Sequence, residues 1–324
     1  MKPCESFRDN IEVPLVVVTA ASDQDPARFV LPVDFEVLDQ ELPTKFCLPM
    51  LVGAALFTSG MFHLILLCVT GADWSGPLSL RKSALFGISA GLTVWSIAWI
   101  LTQLAPRRGD QRLASLLSGG LLLEVGLITL QQWRGVSSHF NRTTPLNSLI
   151  ETIMLGLILL ATAGIAWLCW RSRWLRPMAE SQAIAIRAGL FLLLLSCGLG
   201  MLVTIAGEIN LAQGRPPEIW GLAGVLKYPH GAVLHAVQTL PFLSFLMQKF
   251  RVRRSAWLMR SAVAAHLLFL GHAMWQTFLG RARMDVDVTS VTFLAASALL
   301  LLLPIVAILY GAVAIARASR SANA

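Results

Sequence analysis

The chain has 324 residues, of which 56% are hydrophobic and only 14% are charged. Soluble domains are about 45–50% apolar and about 25% charged, so this composition excludes an ordinary soluble globular protein. The net charge of +8 is spread over short loops between apolar stretches and forms no basic-aromatic patch, which argues against nucleic acid as a partner. The expected partner is the lipid bilayer, and other membrane proteins are a further candidate.

The first 47 residues form a polar extension with nine acids against four Lys and Arg. Its one short apolar run, 13–21, follows acidic residues and lacks the basic region of a signal peptide. We expect the extension 1–47 to lie in the cytoplasm and to be partly disordered.

Eight apolar segments follow, and crossing the hydrocarbon of a bilayer takes about 20 residues each. They are 48–70, 83–104, 114–132, 148–170, 187–208, 231–248, 257–279 and 290–315. The weakest is 231–248, which is short and contains His235, Gln238 and Pro241, so it should face other helices rather than lipid. The sequence predicts an all-α, polytopic transmembrane bundle of about eight helices over 48–315, followed by a tail, 316–324.

The basic residues predict the orientation of this bundle. With the N-terminus inside, 18 of the 26 Lys and Arg fall in inside segments and eight in outside loops. Cytoplasmic loops are enriched in Lys and Arg, so both termini and the tail are expected in the cytoplasm of a cell whose inner (plasma) membrane holds the protein.

Three residue types recur at an offset of 145 positions: Lys82 and Lys227, Gln131 and Gln276, and Gly135 and Gly280. An offset of this size divides the bundle into two halves of four helices, each entering the membrane from the same side. A parallel 4+4 repeat is therefore a hypothesis for the fold.

Ionisable and amide side chains are costly at membrane depth unless they are paired or face a cavity. In the predicted topology they collect in the outer half of the bilayer, whereas the inner half holds mainly loop arginines. This pattern predicts a shared polar pocket made of His63, Glu124, Gln131, Arg134, His235, Gln238, His272 and Gln276.

Histidine spacing restricts the cofactors that this pocket could hold. His230 and His235 are five residues apart and His266 and His272 are six apart, so neither pair can chelate one ion from a regular helix. A haem b or metal site would need single histidines from different helices, and the candidate ligands are His63, His235 and His272. The chain lacks Cys-x-x-Cys-His, which excludes covalent c-type haem.

A resemblance is carried by three segments: 131–141 (QxxRGxxSHFN), 230–241 (HGxxLHAxQxLP) and 276–281 (QxxxGR). Together they resemble a group of uncharacterised bacterial multi-helix membrane proteins over about residues 50–315. The resemblance implies an inner-membrane location and brings no activity with it.

Separately, Ser59-x-x-x-His63 resembles an element of the zinc-dependent membrane hydrolases related to alkaline ceramidase, but the late His-x-x-x-His that those enzymes need is missing.

Three functions remain as hypotheses, and whether the chain is an enzyme stays open. The first is a haem- or metal-binding redox component, in which Arg134 or Lys227 neutralises a haem propionate. The second is a proton-coupled transporter or channel, in which Glu124 carries the proton and the glutamines of the pocket line a cavity. The third is a membrane scaffold or assembly factor. No P-loop is present, so work driven by nucleotide hydrolysis in this chain is not expected.

Overall fold

The computed structural model describes residues 46–74, 76 and 78–322, so nearly all of the predicted extension 1–47 lies outside the described residues. The described chain is an all-α bundle, which confirms the predicted fold class. Its helices are α1 (Cys47–Thr70), α2 (Arg81–Gln103), α3 (Asp110–Trp133), α4 (Pro145–Arg171), α5 (Glu180–Ala212), α6 (Lys227–Leu234), α7 (Ala236–Lys249), α8 (Ser255–Phe278) and α9 (Val288–Ala322). A short antiparallel hairpin precedes α6, and its strands β1 (Ile219–Trp220) and β2 (Gly224–Val225) have two residues each.

Six of the described helices are long and apolar enough to cross a membrane: α1 to α5 and α9. The chain is therefore an integral membrane protein. Helix α8 and the pair α6–α7 are not among these six, and both pack against the other helices of the bundle.

The segment predicted as a single span at 231–248 differs from expectation. It begins earlier, at Lys227, and is interrupted at His235, whose backbone (φ −92°, ψ 8°) ends α6 before α7 begins. Pro241 lies inside α7 and has no backbone N–H to donate to the carbonyl oxygen of Val237. The series of helical backbone hydrogen bonds is therefore weaker near the break. At the other end of the chain, α9 continues to Ala322, through most of the predicted tail.

The connections define two ends of the bundle. The loop-rich end carries the connections 71–80, 134–144, 213–226 and 279–287, and a backbone bond from Ala223 to Gly280 links two of them. The short-loop end carries 104–109, 172–179 and 250–254, and backbone bonds join the first two of these, including the bridge between Leu104 and Leu175.

Five helices, α2, α3, α4, α5 and α7, contact one another in a closed cycle. A buried apolar cluster toward the short-loop end takes side chains from every helix of this five-helix ring, among them Ile97, Leu117, Ile165, Leu190 and Val237. Helix α1 packs outside the ring on α2 and α3, while α8 packs on α5 to α7 and α9 packs on α8. This cluster fills the ring with apolar side chains toward the short-loop end.

Candidate functional site

The ring closes between α2 and the broken pair α6–α7 through a polar contact. The Nε2 atom of Gln238 donates to the hydroxyl of Thr93 over 3.2 Å, while the Oε1 atom of Gln238 is buried without a partner. Lys82 precedes Thr93 by eleven residues, and Lys227 precedes Gln238 by eleven. In the continuous helix α2, eleven residues are close to three full turns and about 16 Å of rise, so Lys82 lies on the same face as Thr93 near the loop-rich end. Lys227 belongs to α6 and Gln238 to α7, on either side of the break at His235.

Two loops bring further polar groups to these lysines. Glu218, in the connection before α6, accepts a bond from Lys227 Nζ at 2.6 Å. His139, in the connection after α3, lies with its ring centroid 6.1 Å from that of Phe86, one turn below Lys82 on α2. We call Lys82, His139, Glu218 and Lys227 the lysine cluster.

The charges within the lysine cluster perturb one another. Burial alone would raise the pKa of Glu218, but the bond and charge of Lys227, with the charges of Lys82 and Arg81, bring it below its ordinary value. Burial and the positive charges of Lys82 and Lys227 lower the pKa of His139 to about 4, with Glu218 opposing. His139 is therefore neutral at pH 7, and two ammonium groups share one carboxylate. The backbone amide of Lys82 donates to the carbonyl oxygen of Ser79, and its side chain has no hydrogen bond or ion pair among the residues that the structure describes.

The lowered pKa of His139 predicts how stability depends on pH. An unfolded histidine binds a proton near pH 6.5, whereas His139 in the fold binds one only near pH 4. Between these values the unfolded state holds more protons, so wild-type stability falls as the pH drops from about 6.5 to 4 and the loss levels off below that. We expect His139→Asn to remove on the order of 3 kcal/mol of this acid sensitivity, since one pKa unit corresponds to about 1.4 kcal/mol. Thermal unfolding in detergent at a series of pH values measures it, and parallel curves for the two proteins would contradict it.

The connection 134–144 is held together by its own hydrogen bonds. Gln131 and Arg134, two of the predicted pocket residues, are brought together by a bond from Nη1 of Arg134 to Oε1 of Gln131. Both also donate to Oδ1 of Asn147, at 3.2 Å from Gln131 and 3.1 Å from Arg134. Asn147 in turn donates to Thr143 at 3.1 Å. Through these bonds Gln131 and Arg134 have a structural role, which is to hold the connection 134–144 in place.

The same connection covers the loop-rich end of the bundle. Phe140 has φ 54°, a left-handed conformation that is rare for an aromatic residue. Its ring lies against Gly207 of α5, where a Cβ atom would come within 2.4 Å of the ring. The amide of Phe140 donates to Glu151 at 2.9 Å. The segment 131–141 that carries the resemblance thus forms an ordered cover rather than a free loop.

Glu124 lies within α3, well inside the membrane-spanning part of the chain. It is 7% exposed and makes no hydrogen bond or ion pair with any described residue. Its carboxyl group lies within electrostatic range of Cys197, a buried residue of α5 that belongs to the apolar cluster of the ring. Glu124 therefore stands at the boundary between the apolar cluster and the polar half of the ring.

Both ring nitrogens of His63 are occupied by protein groups. Nδ1 donates to the carbonyl oxygen of Ser59 at 2.7 Å, and Nε2 accepts from the indole N–H of Trp133 at 3.0 Å. A metal ligand needs a nitrogen lone pair, and here the available one is used by Trp133. Ser59 lies on the same helix as His63, and the bond from Trp133 links α1 to α3 through the histidine ring.

The other predicted residues lie in separate surroundings. His235 is exposed at the break between α6 and α7. On α8, His272 is buried against the rings of Tyr228 and Phe269, and its Nδ1 atom has no partner. One turn on, Gln276 donates to the carbonyl oxygen of Asp285 at 2.7 Å. Among the described residues, no three His, Cys, Asp or Glu side chains are grouped to hold a metal ion.

A buried amide cluster at the short-loop end was not predicted, because that half was expected to hold mainly arginines. Gln182 of α5 donates to Oε1 of Gln103 on α2 at 3.3 Å and accepts from Nε2 of Gln248 on α7 at 3.1 Å. Gln103 and Gln248 are separated by 145 residues, as are Thr93 and Gln238. The sequence therefore contained an indication of this amide cluster, namely the 145-residue offset that also relates Lys82 to Lys227.

Comparison of the chain with protein-family models, with curated proteins and with solved structures gave no match.

Proposed function

We propose that the chain is a transporter of a cell inner membrane that moves a polar solute together with a proton, which Glu124 carries. The observation that carries this proposal is the buried carboxyl group of Glu124, which has no hydrogen bond and no ion pair among the described residues. A charged carboxylate in that position would be uncompensated, so the protonated acid is the form that fits the closed site. It releases the proton when water reaches it.

The arrangement of the five-helix ring supports the same reading. Toward the loop-rich end the ring carries Lys82 and the Thr93–Gln238 contact, while the apolar cluster fills the ring toward the short-loop end. Beyond that cluster the amides centred on Gln182 tie three helices together. A polar half ending at a packed apolar barrier is the arrangement expected of a transporter closed on one side.

The repeat is part of this proposal. Helix α3, at Asp110–Trp133, and helix α8, at Ser255–Phe278, begin and end 145 residues apart. Gly135 and Gly280, which follow these helices, have φ 70° and 69°. The broken pair α6–α7 corresponds to the continuous α2, so the second half differs where its helix is interrupted. Transporters often bind solutes between related halves beside interrupted helices. The loop-rich end is assigned to the outside by the distribution of Lys and Arg.

The alternatives receive less support. The haem or metal interpretation draws on His63, His235 and His272, but both nitrogens of His63 are bonded within the protein, and among the described residues no three potential ligand side chains are grouped. The scaffold reading gives no reason for an unpaired carboxyl group inside the ring.

The first test measures the proton on Glu124 directly. Infrared difference spectra of the reconstituted protein, recorded between two pH values and in D₂O, should show the C=O band of a protonated carboxylic acid. This band should be absent in Glu124→Gln and present in Glu180→Gln, a control that changes a carboxylate 63% exposed at the protein surface. A band unchanged in Glu124→Gln would contradict the proposal.

The second test measures coupled movement in sealed proteoliposomes that contain a pH-sensitive dye. One anionic, one neutral and one cationic solute, namely succinate, glycerol and choline, are added outside under an imposed pH gradient. We expect at least one to change the proton flux of the wild type, and we expect Glu124→Gln to lower that flux about tenfold or more, as removal of a proton-transfer group does. Full flux in Glu124→Gln, or no coupling with any solute, would overturn the assignment.

A further inference from the structure

We propose that the acidic segment 34–45, which lies outside the described residues and directly precedes Phe46, docks in an arginine-lined cavity at the short-loop end of the bundle. The cavity has a volume of about 600 Å³. The inference concerns a contact within this chain and does not depend on the proposed transport.

The cavity lies where two connections of the short-loop end meet. Its wall comes from the end of α2, the connection 104–109 and the first residues of α3, together with Arg176 from the connection 172–179. The backbone amide of Arg176 donates to the carbonyl oxygen of Gln103 at 2.9 Å, which holds the second connection against the end of α2. Phe46, which is 5% exposed, supplies a further part of the wall. The chain that precedes α1 therefore enters the bundle at the cavity itself.

The arginines of the cavity outnumber its carboxylates. Four arginines line it: Arg107, Arg108, Arg112 and Arg176. Among the described lining residues Asp110 is the one carboxylate, and it is already bonded by Arg171, a buried residue outside the lining. Arg107 lies over the ring of Trp174, 5.5 Å from its centroid. The side chains of Arg108 and Arg112 have no hydrogen bond or ion pair among the described residues. Guanidinium groups bind carboxylates through paired N–H donors, so the cavity suits an acidic partner.

The chain immediately before Phe46 carries the complementary charge. The segment 34–45 contains four carboxylates and one lysine: Asp34, Glu36, Asp39, Glu41 and Lys45. Glu41 is five residues from Phe46 and Asp34 is twelve, so an extended chain carries them up to about 17 Å and about 40 Å from it. Since Phe46 lines the cavity, all four carboxylates are within reach of the arginines.

The attachment at Phe46 favours this segment over a separate ligand. A group tethered by a short stretch of chain has an effective concentration in the millimolar range, so a free ligand must displace carboxylates that are already beside the arginines. Several pairs in one network also bind more strongly than an isolated exposed pair. Basic pockets on the cytoplasmic side of membrane proteins can hold anionic lipid headgroups, and the experiment therefore includes a lipid competitor.

Zero-length cross-linking measures the contact in the full chain, reconstituted in phosphatidylcholine nanodiscs with one chain in each disc. Arg108→Lys and Arg112→Lys keep the charge of the cavity and each supply an amine, which a carbodiimide joins to a carboxylate in contact with it. We expect mass spectrometry to find this amine joined to the segment 34–45. The matched control is Arg253→Lys, because Arg253 is exposed in the connection 250–254 at the same end and does not line the cavity. Its yield should be about tenfold lower or less, since no tether holds the segment beside it.

A second comparison tests whether charge holds the segment in place. In the Arg108→Lys protein, the further changes Arg107→Gln and Arg176→Gln remove two positive charges from the cavity and should lower the cross-link yield several-fold. Arg251→Gln and Arg254→Gln remove the same charge from the connection 250–254 and should leave the yield unchanged.

The inference fails if neither lysine variant forms a cross-link to 34–45, or if Arg253→Lys forms as much. It also fails if loss of the two cavity arginines leaves the yield unchanged. Nanodiscs that contain phosphatidylglycerol test the lipid. A cross-link that disappears there, together with bound phosphatidylglycerol that native mass spectrometry detects in the wild type and not in the Arg108→Gln, Arg112→Gln double variant, would assign the cavity to a lipid headgroup instead. Persistence of the cross-link in these nanodiscs is the expected result.

Discussion

Asp110→Ala should destabilise the protein by about 3–5 kcal/mol, because it leaves a buried guanidinium without its counter-charge. The side chain of Arg171 is 3% exposed and bonds Asp110 through two nitrogens, while its Nη2 atom also donates to the carbonyl oxygen of Ala105 at 2.7 Å. These bonds join the ends of α4 and α3 at the short-loop end. Unfolding in mixed detergent micelles, followed by tryptophan fluorescence, measures the loss.

The control is Glu180→Ala, which removes a carboxylate from an exposed ion pair with Arg260, joined by one contact of 2.6 Å. Both of those side chains are more than 60% exposed, and exposed pairs contribute about 0–1 kcal/mol. The double variant Asp110→Ala, Arg171→Met should recover most of the loss, since no buried charge remains. Equal effects of Asp110→Ala and Glu180→Ala would show that burial of Arg171 does not set the energetics.

The helical bundle could be predicted because it depends on local properties of the sequence. Apolar runs of sufficient length are unstable in water and must form hydrogen-bonded helices in lipid. The break at His235 was harder to predict. Pro241 and the polar residues marked 231–248 as weak, but a proline six residues on does not specify where the preceding turn opens. The position of such a break depends on the helices packed around it.

The candidate site was only partly predictable. The sequence identifies polar residues whose burial in a membrane is unfavourable, but it does not show which helices pack against one another. His63 is bonded by Trp133, seventy residues away, and that contact removes its ligand capacity. Thr93 gave no signal, because a threonine in a helix ordinarily bonds a carbonyl of the preceding turn, and Thr93 does so with Ser89 while also accepting from Gln238. Only the fold of the connection 134–144 brings His139 near Phe86 and Lys82.

Gly60→Leu should separate α1 from the bundle, with a loss on the order of 3 kcal/mol and a fall in folded yield. A Cβ atom at Gly60 would lie 2.4 Å from the amide nitrogen of Ile88 and 2.8 Å from the carbonyl oxygen of Ala84, both of which are backbone atoms of α2. Backbone cannot rotate away as a side chain can, so the helices must move apart. Close approach of backbones at small residues is what holds helices together in lipid, where the hydrophobic effect does not.

Gly119→Leu provides the control for this prediction, because no atom lies within 4 Å of the Cβ position at Gly119. The same substitution there should leave stability unchanged or raise it slightly, since leucine favours a helix more than glycine does. Thermal stability by fluorescence-detected size exclusion compares the two variants. The bond from the indole of Trp95 to the carbonyl oxygen of Met50, 3.1 Å long and on the same pair of helices, gives a local readout. Tryptophan fluorescence should shift in Gly60→Leu, because separation of α1 from α2 breaks this bond, and it should stay constant in Gly119→Leu. Equal stability of the two variants would mean that α1 and α2 do not depend on the glycine contact.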